Sequence, residues 1–373
     1  MIIAKVDVFP TRLPLRAELK ISRGSVADPA AGAPHIFVRL ATDYGQVGWG
    51  EARPSHRWSY ETEESVVAAL RHYLAPAIIG RNIFDVQAIH DIMDREIAPG
   101  LTVGQPIAKS AIDMALHDMQ ARLAGQPLAR LFSDQPLSDV AMAYLVSADN
   151  PEGAAMLAGA AVAEGHRGLK VKIGIDRSRD VDIVRAVKEA APSAYLWVDA
   201  NQAYDLETAI GLVRDLGRLG VDVIEQPLPA NDIAGLQRLA ADSDVPIALD
   251  ESVWSPQDLT TLIRLGAIAG LVIKVSKMAG LAPARQCCQI ARDQGLLLLG
   301  SGLTESPLGM AASLHLFAAE GITIPVDLNG PQFLADPPGV NAVHIDRAVA
   351  TVPAVPGIGV PIEEAALAPF LRA

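Results

Sequence analysis

The stretch Gly168-Leu-Lys-Val-Lys-Ile-Gly174 has the composition of a buried strand, and it carries two lysines. Side chains alternate between the two faces of a strand, so Lys170 and Lys172 point to the same side. A buried ammonium group is costly unless it is paired or loses its proton. The fold is therefore expected to place acidic groups or a reacting molecule opposite these two lysines.

Seven other short apolar runs share the texture of this strand, and amphipathic helical segments separate them. From about residue 140 the eight runs are AMAYLV, GLKVKI, AYLWVDA, VDVIEQ, PIALDE, GLVIKV, LLLLGSG and ITIPVDL. Apolar strands that alternate with helices are typical of a parallel sheet, and eight of them indicate a closed barrel. Residues 131–331 are predicted to form this barrel.

The segment before the barrel has a different pattern. Residues 1–50 alternate between apolar and polar as antiparallel strands do, and a helical stretch follows from about residue 61 to residue 123. Strands followed by helices predict an α+β capping domain over residues 1–130. The last segment, residues 332–373, is rich in Pro, Gly and Ala, and we expect it to pack back on this domain and complete it.

Composition excludes several classes of protein. Half of the 373 residues are apolar, which provides a large core, and the net charge of -12 argues against a nucleic-acid or anionic-membrane partner. The two cysteines, Cys287 and Cys288, are adjacent, which suggests neither a disulfide framework nor a zinc site. No leader and no apolar run of the roughly 18 residues that a membrane span needs is found, so a cytoplasmic protein with a small-molecule partner is predicted.

One charged residue stands at the end of each of five successive runs. In order they are Lys172, Asp199, Glu225, Asp250 and Lys274, with separations of 27, 26, 25 and 24 residues. Each separation is about one strand–helix unit. The carboxyl ends of parallel barrel strands open on one face, where active sites of this architecture lie. The five side chains are therefore predicted to share one barrel mouth.

The three acids allow two interpretations. A carboxylate just after a strand is often the N-cap of the next helix, but better caps follow further along the chain, at Asp205, Asp232 and Ser255. Three carboxylates without such a role would repel one another unless a divalent cation lay between them. Because no Cys or His is near, the pattern favours a hard ion, and Asp199, Glu225 and Asp250 are predicted to bind Mg²⁺.

The lysines also allow two interpretations. They either form salt bridges to these acids, or they act as bases on a bound substrate. A lysine must lose its proton to act as a base, and a second ammonium group and a dication nearby both favour that loss. On this second interpretation Lys170 is the charged neighbour and Lys172 the base, while Lys274 faces the substrate from the other side and permits proton transfer between two bases.

These residues carry a family resemblance. The series Lys170-Val-Lys172, Asp199-Ala-Asn201, Glu225-Gln-Pro227, Asp250-Glu-Ser252 and Ile273-Lys274 resembles the muconate lactonizing enzyme subgroup of the enolase superfamily in order, spacing and flanking residues. In the capping domain, Gly48-Trp-Gly-Glu51 and the helical stretch from Lys109 to Asp118 also look like that family. The resemblance implies an α/β fold, a modified (β/α)7β TIM barrel with an α+β N-terminal capping domain.

The resemblance also implies a chemistry. It assigns Mg²⁺ to Asp199, Glu225 and Asp250, and an acid/base pair to Lys172 and Lys274, which remove the proton α to a substrate carboxylate through an enediolate. Three further residues look like groups that orient the ligands or lysines: Asn201, Gln226 and Glu251. The resemblance further implies a homo-oligomer.

Substrate contacts are expected from the last two strands and from the cap loops. Asp327 stands where it can pair with a cationic substrate group, and Asn329 replaces the second acid that related dipeptide epimerases tend to carry. The other candidates are polar or aromatic loop residues, each of which loop packing also explains: Ser301, Thr304, Arg23, His56, Trp58 and Tyr60. A single acid favours a smaller substrate than a dipeptide, such as an N-substituted amino acid or a proline derivative.

The sequence leaves the outcome of proton abstraction open. The first prediction is racemisation or epimerisation of a small amino-acid-derived carboxylate. The alternatives are a dehydratase of a hydroxy amino acid such as cis-3-hydroxyproline and a muconate-type cycloisomerase. From other classes, a Schiff-base lyase that uses a barrel lysine and a non-catalytic binding protein are also compatible with the pattern.

Overall fold

A computed structural model describes residues 1–339 and 342–372 of the chain. The first part contains two antiparallel sheets. Its five strands are β1 (Ile3–Leu13), β2 (Leu19–Ile21), β3 (Gly24–Ala27), β4 (Ala33–Thr42) and β5 (Val47–Ala52). The main sheet has the order β1-β4-β5, and β2 pairs with β3 in a separate hairpin. One face of the main sheet is covered by helices.

The helices of this part follow the strands, as predicted. They are α1 (Glu63–Ala68), a π-helical turn (Ala69–Leu74), α2 (Ala75–Ile78), α3 (Val86–Glu96), α4 (Pro106–Leu123) and a 3-10 turn (Leu128–Leu131). Helix α4 lies directly on β5, because two glycines leave room for it. A Cβ atom on Gly48 would lie 2.2 Å from the Ala115 carbonyl oxygen, and one on Gly50 would lie 1.9 Å from that of Ala111.

The barrel begins after a short strand, β6 (Asp139–Ala141). Seven parallel strands then form one sheet in sequential order. They are β7 (Ala143–Val146), β8 (Gly168–Lys172), β9 (Tyr195–Asp199), β10 (Val223–Glu225), β11 (Ile247–Leu249), β12 (Gly270–Ile273) and β13 (Leu297–Gly300). A helix follows each of them: α5 (Pro151–Glu164), α6 (Arg177–Ala190), α7 (Leu206–Arg218), α8 (Ile233–Asp242), α9 (Pro256–Arg264), α10 (Leu281–Asp293) and α11 (Pro307–Ala319).

A short eighth segment closes the barrel. Val326 forms a parallel bridge with Met142, and Asp327 forms one with Ser301. The segment therefore links both edges of the seven-stranded sheet. No long helix follows it within the described residues up to 372, and the predicted (β/α)7β barrel is confirmed. The barrel interior is filled by inward-facing apolar side chains from alternating strand positions, among them Trp197, Val223, Ala248, Val272 and Leu299.

The barrel helices begin at the N-caps expected from the sequence. The side chains of Asp205, Asp232 and Ser255 each accept a hydrogen bond from the backbone three residues later, at the start of α7, α8 and α9. These contacts satisfy backbone N–H groups that a helix leaves unpaired. The acids at the strand ends are therefore free of that structural role.

Two other barrel helices are capped by the first part of the chain. Asp113 of α4 accepts a hydrogen bond from the Leu281 backbone N–H at the start of α10. Glu51, the last acid of β5, accepts hydrogen bonds from the backbone N–H groups of Ser306 and Gly309 at 2.9 Å each, at the start of α11. Asp113 and Glu51, the acids of the two capping-domain motifs, thus hold the capping domain and the barrel together.

The last segment contains α12 (Gly330–Phe333), β14 (Ile345–Asp346), β15 (Val349–Thr351), α13 (Glu364–Leu367) and a 3-10 turn (Ala368–Phe370). It returns to the first part, since Leu334 bridges to Leu15 and Leu371 bridges to Thr11. The domain boundaries at residues 130 and 331 stay a prediction. Within the described ranges, no helix is both long and apolar enough to cross a membrane.

Candidate active site

The three predicted acids lie side by side at the mouth of the barrel. Asp199 and Glu225 are paired in register at the ends of β9 and β10, and Asp250 directly follows β11. All three side chains are fully buried. Alternation along the strands turns them inward, as it turns the lysines of β8. Adjacent strands therefore deliver three carboxylates to one face of the barrel.

Both lysines of β8 form ion pairs with these acids. Lys172 Nζ lies 2.6 Å from Asp199 Oδ2 and 2.8 Å from Asn201 Oδ1. Lys170 Nζ lies 2.9 Å from Glu225 Oε2, 3.2 Å from Asp199 Oδ2 and 3.1 Å from Asp327 Oδ2. Beneath it, the ring of Trp197 has its centroid 4.3 Å away. This geometry is compatible with both predicted interpretations of the lysines. The salt bridges to the acids are present, and the lysines face the same barrel mouth as the acids.

These pairs shift the pKa values of the groups involved. Burial acts to raise the pKa of Asp199, but the ammonium groups of Lys172 and Lys170 outweigh it and lower the pKa to about 2. Burial and the charge of Asp199 raise the pKa of Glu225 well above its usual value. Burial acts to lower the pKa of Lys170, but Glu225, Asp199 and Asp327 outweigh it and raise the pKa. The charge of Lys170 is thus balanced by acids, and its predicted action on Lys172 stays a prediction.

Lys274 approaches the acids from the opposite side of the barrel. Its Nζ lies 2.5 Å from Asp250 Oδ2, and 4.2 Å from the centroid of the Trp58 ring, which comes from the cap. Strands β8 and β12 are the second and sixth of eight in the ring, so Lys172 and Lys274 stand on opposite walls. Burial acts to lower the pKa of Lys274, but Asp250 outweighs it and raises the pKa.

A fourth lysine, Lys277, was missed in the sequence. Its fully buried Nζ donates to the backbone oxygen of Asp250 at 2.6 Å and lies 2.7 Å from Asp250 Oδ1. Together with Lys274, it lowers the pKa of Asp250, although burial alone would raise it. Lys277 lies in the loop after β12 rather than on a strand, so the strand-end pattern did not include it.

The three residues predicted to orient the site are all at the mouth. Asn201 donates from Nδ2 to Glu251 Oε1 at 3.1 Å and accepts from Lys172 through Oδ1. Gln226 Oε1 accepts from the backbone N–H of Asp250 at 3.0 Å, which ties the end of β10 to the end of β11. Burial, with the charges of Asp250 and Asp199, raises the pKa of Glu251 to about 7. Their assignment as orienting groups is supported by these contacts and stays a prediction.

Backbone strain is concentrated at the same place. Asn201 has a φ of 42°, Gln226 a φ of 37° and Thr304 a φ of 63°, in the left-handed region that residues with a side chain rarely adopt. Such conformations persist where the surrounding structure fixes them, and they cluster at functional sites. Each of the three follows the end of a barrel strand.

The predicted polar groups of the last two strands form one hydrogen-bonded cluster. Asp327 accepts from Ser301 Oγ at 3.2 Å and from Asn329 Nδ2 at 3.0 Å, in addition to its ion pair with Lys170. Thr304 Oγ1 donates to Asn329 Oδ1 at 2.7 Å. All four side chains are buried. The carboxylate of Asp327 is therefore already satisfied by protein groups.

A cavity of about 40 Å³ lies over the lysines. Its walls include Lys170, Lys172, Lys274, Thr304, Asp327 and Asn329 from the barrel, and Leu19, Ile21, Val26, Arg53, Ser55 and Trp58 from the first part of the chain. The hairpin β2–β3 thus forms part of the roof. A volume this small holds a few waters, so the roof must move for an amino acid to enter.

Four of the predicted substrate contacts do not line this cavity: Ser301, Arg23, His56 and Tyr60. Tyr60 is 51% exposed and donates from its hydroxyl to the Val103 carbonyl oxygen. Arg23 is exposed and donates to Gln202 Oε1. His56 is exposed and lines a separate groove beside the cavity. Of the four cap-loop candidates, Trp58 is the one that reaches the cavity, while its neighbour Arg53 was not among those candidates.

The residues at the mouth fit a magnesium ion in their chemistry. Three buried carboxylates without His or Cys suit a hard cation, and Glu225 Oε2 makes no hydrogen bond despite its ion pair with Lys170. Across the described chain, no three His, Cys, Asp or Glu side chains are gathered as ready metal ligands. The carboxylates instead hold four ammonium groups, so a cation that binds them must displace lysine contacts.

Comparison with known proteins places the chain in a family. Residues 3–133 match the family described as mandelate racemase/muconate lactonizing enzyme, N-terminal domain. Residues 153–366 match the family described as enolase C-terminal domain-like. The two matches together cover most of the chain and agree with the cap and the barrel.

Three related proteins show what such chains do. The N-succinyl-L-Arg/Lys racemase of Bacillus cereus is 31% identical over 98% of this chain and 96% of its own, and its crystal structure has a TM-score of 0.93. The chloromuconate cycloisomerase of Pseudomonas putida is 30% identical over all of both chains. The dipeptide epimerase of Enterococcus faecalis, solved with Mg and L-Leu-L-Tyr, is 28% identical with a TM-score of 0.89, and the match covers 96% of this chain and 99% of that chain.

The fold is a capped barrel, and its mouth gathers lysines that are ion-paired with acids. Within the class of capped barrels, the chain belongs to the mandelate racemase/muconate lactonizing enzyme family of the enolase superfamily. The three relatives are a racemase, an epimerase and a cycloisomerase, and the chain is an enzyme of the same general type, an isomerase. The family and the epimerase solved with Mg point to Mg²⁺.

Proposed function

We propose that the protein racemises an N-acylated amino acid by moving the proton on its α-carbon between two lysines. The observation that carries this proposal is that Lys172 and Lys274 line one cavity from opposite walls. A substrate held between them exposes one face of its α-carbon to each ammonium group. Removal of the proton by one lysine and delivery by the other inverts the carbon.

The metal role rests on the same carboxylates. Asp199, Glu225 and Asp250 would hold Mg²⁺, which when bound withdraws charge from the substrate carboxylate and makes the α-proton more acidic. Each of the two proposed bases is now ion-paired to one of these acids, Lys172 to Asp199 and Lys274 to Asp250. Loss of these pairs would turn the lysines toward the substrate and favour the neutral amine that a base requires.

The choice of an N-acylated substrate rests on Asp327. A free ammonium group, as in an amino acid or a dipeptide, needs an available carboxylate. Asp327 is the acid nearest to that role at the eighth strand, but Lys170, Ser301 and Asn329 already occupy it. An amide nitrogen carries no charge and needs no such partner. The racemase of Bacillus cereus acts on N-succinyl amino acids by its name, which agrees with this choice.

Exchange in D2O tests the proposal. The protein would be incubated with Mg²⁺ and a panel of N-acyl amino acids, free amino acids, dipeptides, hydroxyprolines and muconate, and the α-carbon followed by NMR. We expect α-deuterium and inversion with N-acyl amino acids, loss of both with EDTA, and recovery with added Mg²⁺. Absence of exchange in every N-acyl amino acid would contradict the proposal. Water loss from a hydroxyproline would favour the dehydratase instead, and lactone chemistry the cycloisomerase.

Two other expectations are untested. A homo-oligomer and a cytoplasmic location stay predictions.

A further inference from the structure

Arg53 is a buried arginine that has no acidic partner in the part of the chain that the structure describes. The residue directly follows β5, and it is 2% exposed. Nη1 donates to the carbonyl oxygen of the adjacent Pro54 at 2.5 Å, while Nε makes no hydrogen bond. No ion pair connects the guanidinium to any residue in ranges 1–339 and 342–372. A buried charge left in this state is strongly unfavourable, so it indicates a missing anion.

The acids around Arg53 are committed elsewhere. Glu51 accepts from His35, Ser306 and Gly309. Glu305 accepts from the Leu303 backbone N–H at 2.7 Å, and Glu63 is paired with Arg12. Burial lowers the pKa of Arg53 to about 10 even though these three acids act to raise it. Their charges act on the guanidinium from a distance and do not satisfy its donors.

Arg53 stands where two spaces meet. It lines the 40 Å³ cavity over Lys172 and Lys274, and it also lines a groove of about 480 Å³ that opens beside the cap loop. Val26 and Ser55 are the other residues common to both walls. If the α-carbon of a bound molecule lies between the lysines, Arg53 therefore lies where the far end of that molecule passes from the cavity into the groove.

We propose that Arg53 binds a second carboxylate of the substrate, remote from the α-carbon. This inference rests on the proposed function, and it narrows the substrate to an N-acyl amino acid that carries two carboxylates. The first carboxylate belongs to the metal site, and the second meets a guanidinium fork, whose planar donors match a carboxylate in two parallel hydrogen bonds. The remote carboxylate comes either from the acyl group or from the amino-acid side chain.

Matched ligand pairs test this proposal in the unmodified protein. Binding would be measured by titration calorimetry with Mg²⁺ for N-succinyl-L-alanine against N-succinamoyl-L-alanine, and for N-acetyl-L-glutamate against N-acetyl-L-glutamine. Each amide has the size of its acid but lacks the remote charge. We expect the acid of at least one pair to bind about 30-fold more tightly. The pair that discriminates identifies the source of the carboxylate. If both acids bind within about threefold of their amides, the proposal is wrong.

Variants assign the discrimination to Arg53 rather than to the lysines. Arg53→Gln is expected to lose at least about 10-fold of the acid preference while its amides still bind within about threefold of the unmodified protein. Arg53→Lys keeps the charge and should retain part of the preference. Arg71→Gln, at an exposed cap arginine, is the control and should keep all of it. A folded Arg53→Gln protein with the full preference would overturn the proposal; if neither Arg53 variant folds, the acid-to-amide ratio decides.

The binding measurement separates this inference from the proposed function. Exchange of the α-proton tests the function, whereas the acid-to-amide ratio tests Arg53. Exchange with equal binding of acid and amide would leave the function standing and overturn the role of Arg53. Acid preference that depends on Arg53, without exchange in any N-acyl amino acid, would support the carboxylate site and contradict the function.

Discussion

His315 is a buried imidazole whose two nitrogens are both used in the neutral form. Nδ1 accepts from the Ala129 backbone N–H at 3.2 Å, and Nε2 donates to the Ile358 carbonyl oxygen at 3.0 Å. The ring therefore joins a barrel helix to the end of the cap and to the last segment. Protonation would remove the acceptor that Ala129 needs, and burial opposes the charge.

The first prediction is a loss of stability in acid that depends on His315. Burial lowers its pKa from 6.5 to about 4, so the unfolded chain binds this proton more readily than the folded chain. The contribution of His315 is complete above pH 6.5 and is lost as the pH falls through 4. The expected loss is on the order of 3 kcal/mol. His315→Gln keeps an acceptor and a donor without titrating, and urea unfolding from pH 7 to pH 4 should show a shallower decline for this variant. Parallel declines would contradict the prediction.

At the barrel mouth, five charged residues could be found from the sequence because they obey a period. Lys172, Asp199 and Glu225 end a strand and Asp250 and Lys274 directly follow one, and the repeat of strand and helix brings the five together. Lys277 and Arg53 obey no such period, since both lie in loops. Loop residues reach a site through the path of the backbone, which composition and spacing do not define. Tyr60 and His56 are loop residues that were named from the sequence as substrate contacts, yet neither side chain lines the cavity.

At the level of elements, the helix starts are capped in two ways. Most barrel helices use a side chain just before their first turn, and three of these caps, Asp205, Asp232 and Ser255, were read from the sequence. Helix α10 starts after Gly280, which offers no side chain, and Asp113 of α4 takes the position instead. A Cβ on Gly280 would lie 2.3 Å from the Cβ of Asp113, so glycine is required for this approach. The motif around Asp113 showed a family likeness, but its capping role appears only in three dimensions.

The second prediction concerns this cap. Asp113 also bonds His90 and His117, and the pKa of its carboxyl group is lowered by His117 and His90 although burial acts to raise it. Asp113→Asn removes the charge that these donors share and should lower the free energy of unfolding by about 2 kcal/mol. The control is Asp205→Asn at the exposed start of α7, where Asn caps nearly as well as Asp. Urea unfolding measures both, and an equal effect of the two substitutions would contradict the cap assigned to Asp113.

For the whole molecule, the closed barrel and its cap were predictable, while the state of the mouth was not. The eight apolar runs indicate which residues form the barrel, and the early strand–helix pattern indicates which residues form the capping domain. Whether the four lysines pair with the acids depends on differences of a few tenths of an ångström in the distances between their side chains. The sequence leaves such competition open, because the same charged residues are compatible with either salt bridges or a metal site.

The third prediction follows from that competition. Mg²⁺ that binds the folded mouth and not the unfolded chain should raise the free energy of unfolding by about 2.7 kcal/mol at 100 times its dissociation constant. Chemical unfolding with EDTA and with Mg²⁺ measures this gain. Glu225→Gln should remove most of it, whereas Asp205→Asn should keep it. Equal stability with and without Mg²⁺ at high concentration would contradict the metal site.

The most direct test of two-lysine proton transfer is stereospecific exchange in the Lys172→Ala and Lys274→Ala proteins. Each variant, with Mg²⁺ in D2O, would be given the separate enantiomers of an N-acyl amino acid that the unmodified protein racemises. We predict that neither variant racemises, and that each retains α-deuterium exchange in one enantiomer only, opposite for the two variants. Racemisation by both variants, or exchange in the same enantiomer by both, would contradict the proposal that Lys172 and Lys274 act on opposite faces of the substrate.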